Sequence, residues 1–404
     1  LNLEKQIAGI LTDIMVKEIV AYRRQLHQYP ELSFQEFKTS EVIRGILDRW
    51  GIEYTYPHVK TGIVARIVGD HPGRRIALRS DMDALPINEQ TGLEYASMNS
   101  GVMHACGHDM HMASLLGAIR LLNQLKHEIN GEILFLFQPG EEKIPGGARL
   151  MLEDGVFNGR EPHIIIAQHV LPEMKAGHVG FKPGIYMASS DEIYITVKGK
   201  GGHGALRHNI KDPVLMASRI LLTLQDEVSR MAPVKIPTVL SFGKVVADGA
   251  VNVIPDDVTL EGTFRTMNEE WRKEAHRLIK RIASEISDSM GGSAEVEIRN
   301  GYPVLHNHEQ ITRESIRLAT KLLDEENVEA MDIRMTAEDF AWFTQDIPGM
   351  MYRLGVRDPD SEQPYLLHSP LFKVNESALK TGISVMAYLA IELLKITDVE
   401  KINS

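Results

Sequence analysis

Short apolar runs set in helical periodicity are what most constrain this chain. Between residues 10 and 190 the runs RIALRS (75–80), EILFLFQ (132–138) and HIIIAQ (163–168) alternate with amphipathic segments. This alternation is an α/β signature and predicts a mostly parallel or mixed sheet. After Asp109 the residues Met112, Leu115, Leu116, Ile119, Leu122 and Leu125 recur at three- and four-residue steps. That spacing predicts a helix, with Asp109 placed to cap its first turn.

The pattern changes near residue 186. A strand alternating Ile193, Ile195 and Val197 precedes a helix over roughly 211–230 and strands near 238–246 and 257–265. A second helix carries Trp271, Ala275, Leu278, Ile279 and Ile282, and a strand with Ala294, Val296 and Ile298 closes the block. This βαββαβ order predicts a ferredoxin-like domain. The α/β pattern resumes after about 300, so the expected organisation is a sheet-and-helix catalytic domain from 1–185 and 301–404, with 186–300 inserted as a lid and dimerisation domain. The crossings fall in GIYMASS and NGYPV, both turn-permissive. A chain of 404 residues exceeds what one core usually supports, which agrees with two domains.

Composition narrows the function. A net charge of -11 disfavours phosphate backbones and anionic lipid, which are met by clustered basic surfaces, so neither nucleic acid nor membrane is an expected partner. No window approaches about 18 uncharged apolar residues, and LNLEKQIAGILTDI lacks the basic and apolar regions of a secretory signal. One cysteine excludes an intrachain disulfide and fits a reducing compartment, so the expected location is the cytoplasm.

Four groups of ligand-type side chains follow the carboxyl ends of predicted strands or sit in their loops, the edge where open α/β sheets bind ligands. In SDMDALP, Asp81 and Asp83 stand two apart, so both can face one side; solvated turn carboxylates are the plainer reading. In MHACGHD, Gly107 allows a sharp turn that lets Cys106 and His108 converge, with a helix N-terminus to favour the thiolate; an inert core cysteine beside an unrelated histidine is the alternative. In QPGEEKIPGG, the adjacent Glu141 and Glu142 point to opposite sides of an extended chain, so one can bind metal while the other serves as general base. His169 in AQHV and His368 in LLHSP complete the set, although a lone histidine is more often a satisfied core or surface residue. Together they supply a thiol, three imidazoles and several carboxylates, enough for two divalent ions.

The motifs RRQLHQYPELSFQE, SDMDALP, MHACGHD, QPGEE, GKGGHGA, NVIPD, GTFRT, TAEDF and LHSP, in this order over residues 20–395, resemble the aminoacylase and hippurate hydrolase subfamily of dinuclear metallopeptidases, which includes the plant hydrolases of auxin conjugates. The resemblance implies Cys106, His108, Glu142, His169 and His368 as ligands of two divalent ions (Mn, Zn, Co or Ni) and Glu141 as the base that activates water. It leaves Asp81 and His104 outside the ligand set and makes Asp83 an orienting residue behind it. His203 resembles the histidine that reaches a partner subunit's site to stabilise the oxyanion, which implies a homodimer, while Asn252 and Arg265 match substrate-contacting positions. Arg207 stands before His208 where relatives commonly carry proline, a departure that bears on loop conformation and acyl preference.

The implied activity is hydrolysis of small N-acylated amino acids to a carboxylic acid and a free amino acid. N-acetyl-diaminopimelate deacetylation or dipeptide cleavage by the same chemistry are the alternatives. Two other classes remain open: a cysteine hydrolase with Cys106 as nucleophile and His108 as base, and a metal-binding protein without catalysis.

Overall fold

In the unit that carries RRQLHQ, SDMDALP, MHACGHD, QPGEE and LHSP, one eight-stranded mixed sheet organises everything else. The computed structural model describes residues 2–361 and 363–396. Across the sheet the strands run Glu53–His58, Gly62–Val68, Asn130–Gln138, His71–Asp81, Ile164–Lys175, Gly349–Arg357, Val179–Phe181 and Val328–Ala330. The four from Asn130–Gln138 to Gly349–Arg357 are mutually parallel, so their carboxyl ends share one edge. Both faces of these strands are buried, which is why they read as nearly unbroken apolar runs rather than as alternation.

Helix His108–Leu122 packs against the sheet and against helices Asp13–Gln28 and Ala378–Leu394. Enclosed in this way, it buries every residue except Arg120, so it is a core helix rather than the amphipathic one its spacing suggests. The expected cap is also different. Gly107 is the N-cap and no side chain caps the helix; Asp109 lies inside the first turn, where its Oδ2 accepts from Arg23 Nε (2.7 Å) and contacts His27 Nδ1 (2.8 Å). Two buried cationic partners outcompete the helix's own amides for this carboxylate.

A second buried ion network ties the sheet edge together. Arg79 donates to Gln138 (2.8 Å), Asp81 (2.8 Å) and Asp339 (2.7 Å), and Asp339 also accepts from the Gln138 amide and from Ala148 N. The aspartate of TAEDF thus joins the ends of two neighbouring parallel strands to helix Gly147–Glu153.

The other compact unit comprises Met187–Leu305 and Ile333–Glu338. Its four-stranded antiparallel sheet runs Thr238–Val246, Asp257–Thr266, Asp191–Lys198, Ser293–Asn300, with helices Pro213–Met231 and Glu269–Ser289 packed on it. This is the ferredoxin-like order the sequence predicts. Ile193, Ile195 and Val197 face the helices, and the alternation that made the strand legible follows from that one-sided burial. Asp212 and Asn268 cap the two helices through Val214 N, Leu215 N and Trp271 N.

The division differs from the expected boundaries in three places, and the first is Tyr186, which stays with the eight-stranded-sheet unit. Residues 301–305 belong with the ferredoxin-like unit because Gly301 N bonds Asp191 and Val304 N bonds Glu269. Ile333–Glu338 also joins it, since Arg334 O and Thr336 O accept from Ala188 N. No described helix is long and apolar enough to cross a membrane.

The ion network makes a direct prediction. Asp339→Ala leaves Arg79 one acid short and strands Ala148 N, and should lower unfolding free energy by about 3 kcal/mol in urea titrations. A change below about 1 kcal/mol would mean that the network is not structural.

Candidate metal centre

The local conformation at Gly107 decides whether a thiol and an imidazole can meet. Its φ is +82°, and a Cβ there would stand 2.6 Å from Val170 Cγ2, so only glycine fits. The turn brings Cys106 and His108 into one group with His169 from strand Ile164–Lys175, their ligand atoms all within 4.8 Å of one another. A second group, Cys106, Glu142 and His368, shares the thiol, and a third joins His108 to Glu141 and Glu142. Cys106 Sγ lies 3.5 Å from His169 Nε2, and His368 Nε2 lies 3.3 Å from Glu142 Oε1. His368 is about half exposed and has a φ of +59°; the rest of the set is buried or nearly so.

Asp83 organises the loops behind these groups. Its Oδ1 accepts from Glu141 N (3.0 Å), and its Oδ2 accepts from Glu142 N (2.9 Å) and the Ser33 hydroxyl (2.7 Å). Its Oδ1 is also 3.3 Å from His108 Nδ1, which leaves Nε2 of that ring turned toward Asp81 (3.6 Å) and Glu142 (4.0 Å). His169 Nδ1 donates to Val170 O (2.8 Å), so its lone pair is on Nε2, the atom facing Cys106.

His111 is a residue the sequence reading passed over. One turn after His108, it has the spacing of a metal pair, and it forms a possible cation group with Asp81 and His108. Both of its nitrogens are already used: Nδ1 lies 2.6 Å from Asp81 Oδ1, and Nε2 accepts from Val170 N at 2.9 Å. Burial keeps this imidazole neutral, and the Asp81 contact identifies the protonated nitrogen as Nδ1. Asp81 in turn is held well below the usual carboxylate range: burial opposes its charge, but His108, His111 and Arg79 outweigh that cost. Asp81 therefore stands against the Arg79 guanidinium and the His108 and His111 rings. His104, also left outside, is buried with neither ring nitrogen bonded, and burial pushes it down to about 4.

The electrostatics favour a cation at this place. Burial alone would make His108 less basic, yet Asp81, Asp83 and Glu142 push it up to about 10, and its buried ring nitrogens find no hydrogen bond of good geometry. Burial, with Glu142, Glu141 and Asp81 beside it, raises the Cys106 thiol well above its ordinary value. The helix terminus does not by itself favour the thiolate as the sequence reading expects, because burial and carboxylates dominate. Acidic groups, a thiol and imidazoles crowded in a buried site suit divalent metal cations.

The remaining predicted residues lie in the other compact unit. His203 and Val253 pair across a two-residue bridge, Gly204 N donates to Asn252 O (2.9 Å), and His203 Nδ1 accepts from Ala205 N (3.1 Å), so GKGGHGA and NVIPD form one exposed loop pair. Arg265 is half-buried on strand Asp257–Thr266; among the described residues its side chain makes one long hydrogen bond, to Met335 O (3.4 Å), and pairs with no acid. Arg207 and His208 occupy an exposed turn, Arg207–Asn209.

These features define a metal-dependent hydrolase site at the carboxyl edge of an α/β sheet. The chain belongs to Peptidase family M20/M25/M40, whose model matches residues 77–392. It is 42% identical over 301 residues to the N-acyl-L-amino acid amidohydrolase of Geobacillus stearothermophilus, covering 74% of this chain and 80% of that one. It is 37% identical over 405 residues to the N-acetyl-L-cysteine deacetylase of Bacillus subtilis, covering 100% and 94% of the two chains. Among solved structures it superposes on the Bacillus subtilis YXEP protein, described as a dinuclear metal binding peptidase from the M20 family, with a TM-score of 0.83, 36% identity and coverage of 96% and 100%.

One buried acid gives a prediction about pH. Burial and the nearby Asp83 charge raise Glu36 to about 7, above its unfolded value of 4.5. Ionising it in the folded chain is therefore unfavourable, and the stability associated with its protonated form is lost as pH rises from about 4.5 through about 7. In urea unfolding of metal-free protein, Glu36→Gln should gain on the parent between pH 5 and pH 8; a constant difference would contradict the shift.

Proposed function

We propose that this chain hydrolyses the amide bond of small N-acylated amino acids, releasing a carboxylic acid and a free amino acid. The observation that carries the reading is the adjacent pair Glu141 and Glu142. The second groups with Cys106 and His368, and the first stays close enough to His108 and Glu142 to share their space. In this reading Cys106, His108, Glu142, His169 and His368 hold two divalent ions, of manganese, zinc, cobalt or nickel. When bound, such ions lower the pKa of water and polarise a carbonyl oxygen. Glu141 takes the proton from water as it attacks the amide carbon, and delivers it to the leaving amine. Asp83 orients His108 and the glutamate loop while this happens.

Arg265 suits a free substrate carboxylate, since it is half-buried with no acidic partner among the described residues and its guanidinium can grip two oxygens at once. Asn252 would contact the substrate beside it, and His203 of a second copy would donate to the oxyanion. A homodimer through the ferredoxin-like unit is supported by its edge strand Thr238–Val246, where Val239, Val245 and Val246 are exposed. The relatives' printed activities support the substrate class, and a single cysteine among 404 residues supports a cytoplasmic setting. Cysteine nucleophilic catalysis is disfavoured by the strongly raised Cys106 thiol.

Three experiments test the reading. Glu141→Gln should retain bound metal while kcat falls by about 10²–10⁴; normal kcat would remove Glu141 from its role. A panel of N-acetyl, N-benzoyl and N-acetyl-diaminopimelate substrates with dipeptides, run on protein loaded with each metal, should show turnover abolished by chelation. Metal-loaded protein that cleaves none of them would favour a binding role. In sedimentation, the parent should be a dimer and Val239→Asp with Val245→Asp a monomer; a monomeric parent would overturn the dimer.

A further inference from the structure

Three successive backbone amides of the glutamate loop are answered by two buried carboxylates. Glu141 N and Glu142 N go to Asp83, and the preceding Gly140 N goes to Glu36 Oε1 at 2.9 Å. The same Oε1 accepts from Phe34 N (2.9 Å), and Oε2 accepts from the Thr61 hydroxyl (2.7 Å). Glu36 is fully buried, and among the described residues no cationic side chain pairs with it. Gly140 has a φ of +63°, and a Cβ there would stand 2.4 Å from the Phe34 ring, so ring and carboxylate close on the turn from two sides. An acid enclosed without a cation costs stability, and the backbone it holds is the turn that aims Glu141 and Glu142.

We propose that Glu36 is a positioning residue for the hydrolytic reaction: by fixing the Gly140 turn it sets the directions in which the Glu141 and Glu142 carboxylates leave the loop. The proposal rests on the reading of Glu141 as base and Glu142 as ligand. The motif RRQLHQYPELSFQE then has a role at the site without touching it, since Ser33 braces Asp83 and Glu36 braces Gly140. A misdirected base slows the chemical step more than it weakens substrate binding, because the substrate's own contacts are elsewhere.

The test uses the full-length, metal-loaded enzyme and an N-acetyl amino acid it turns over. Glu36→Ala should lower kcat by about 10- to 100-fold with KM within about threefold, and should weaken metal retention by a similar 10- to 100-fold. Glu36→Gln keeps an oxygen where Oε1 accepts both amides, and should restore kcat to within about threefold of the parent. Phe34→Ala opens the other side of the turn and should lower kcat in the same sense, which keeps the question answerable if Glu36→Ala does not fold. Parent-like kcat in Glu36→Ala or Phe34→Ala, or equal losses in Glu36→Ala and Glu36→Gln, would overturn the proposal. Glu141→Gln run alongside separates the two readings: if it is inactive while Glu36→Ala is not, only the positioning role falls, and if it remains active the assignment of the loop itself falls.

Discussion

A buried carboxylate has to be answered by donors, and much of this unit's active edge is arranged around one such demand. Asp83 takes the amides of Glu141 and Glu142, the Ser33 hydroxyl and the close approach of His108 Nδ1. Asp83 and these partners come from four separate parts of the chain. Satisfying one side chain therefore registers the loop after helix Asp13–Gln28, the end of strand His71–Asp81, the start of helix His108–Leu122 and the glutamate loop against one another.

Around this point several buried carboxylates are answered by basic side chains of the protein itself. Arg79 answers Asp81 and Asp339, and Arg23 with His27 answers Asp109. Glu142 and the Cys106 thiol instead gather with histidines in the possible cation groups. The distinction separates structural acids from those suited to a metal. Acids whose ion pairs are complete hold the fold, and acids left to imidazoles with free lone pairs are matched to cations.

Several motif residues that look chemical turn out to be structural on this basis. Arg23, His27 and Asp109 form a buried network that anchors helix Asp13–Gln28 to the metal-site helix. His111 has the spacing of a ligand but is spent between Asp81 and Val170. In the ferredoxin-like unit, Asp191 is similarly spent on Arg272, His276 and Gly301 N. A motif residue's chemistry is decided by which of its lone pairs or protons remain unused.

The sequence by itself determined the element types and the ferredoxin-like order, because hydrophobic period is a local property. Buried parallel strands appear as apolar runs and one-sided antiparallel strands as alternation, wherever the rest of the chain goes. Tertiary structure alone decided that Asp109 abandons its cap for Arg23, that helix His108–Leu122 is buried all round, and that Ile333–Glu338 joins the second unit. It also decided that His111 is unavailable, and that Glu36, separated from Gly140 by 104 positions, holds that turn. Hydrogen-bond partners so distant in the chain are selected by packing and by competition for buried donors, and neither leaves a periodic trace in one sequence.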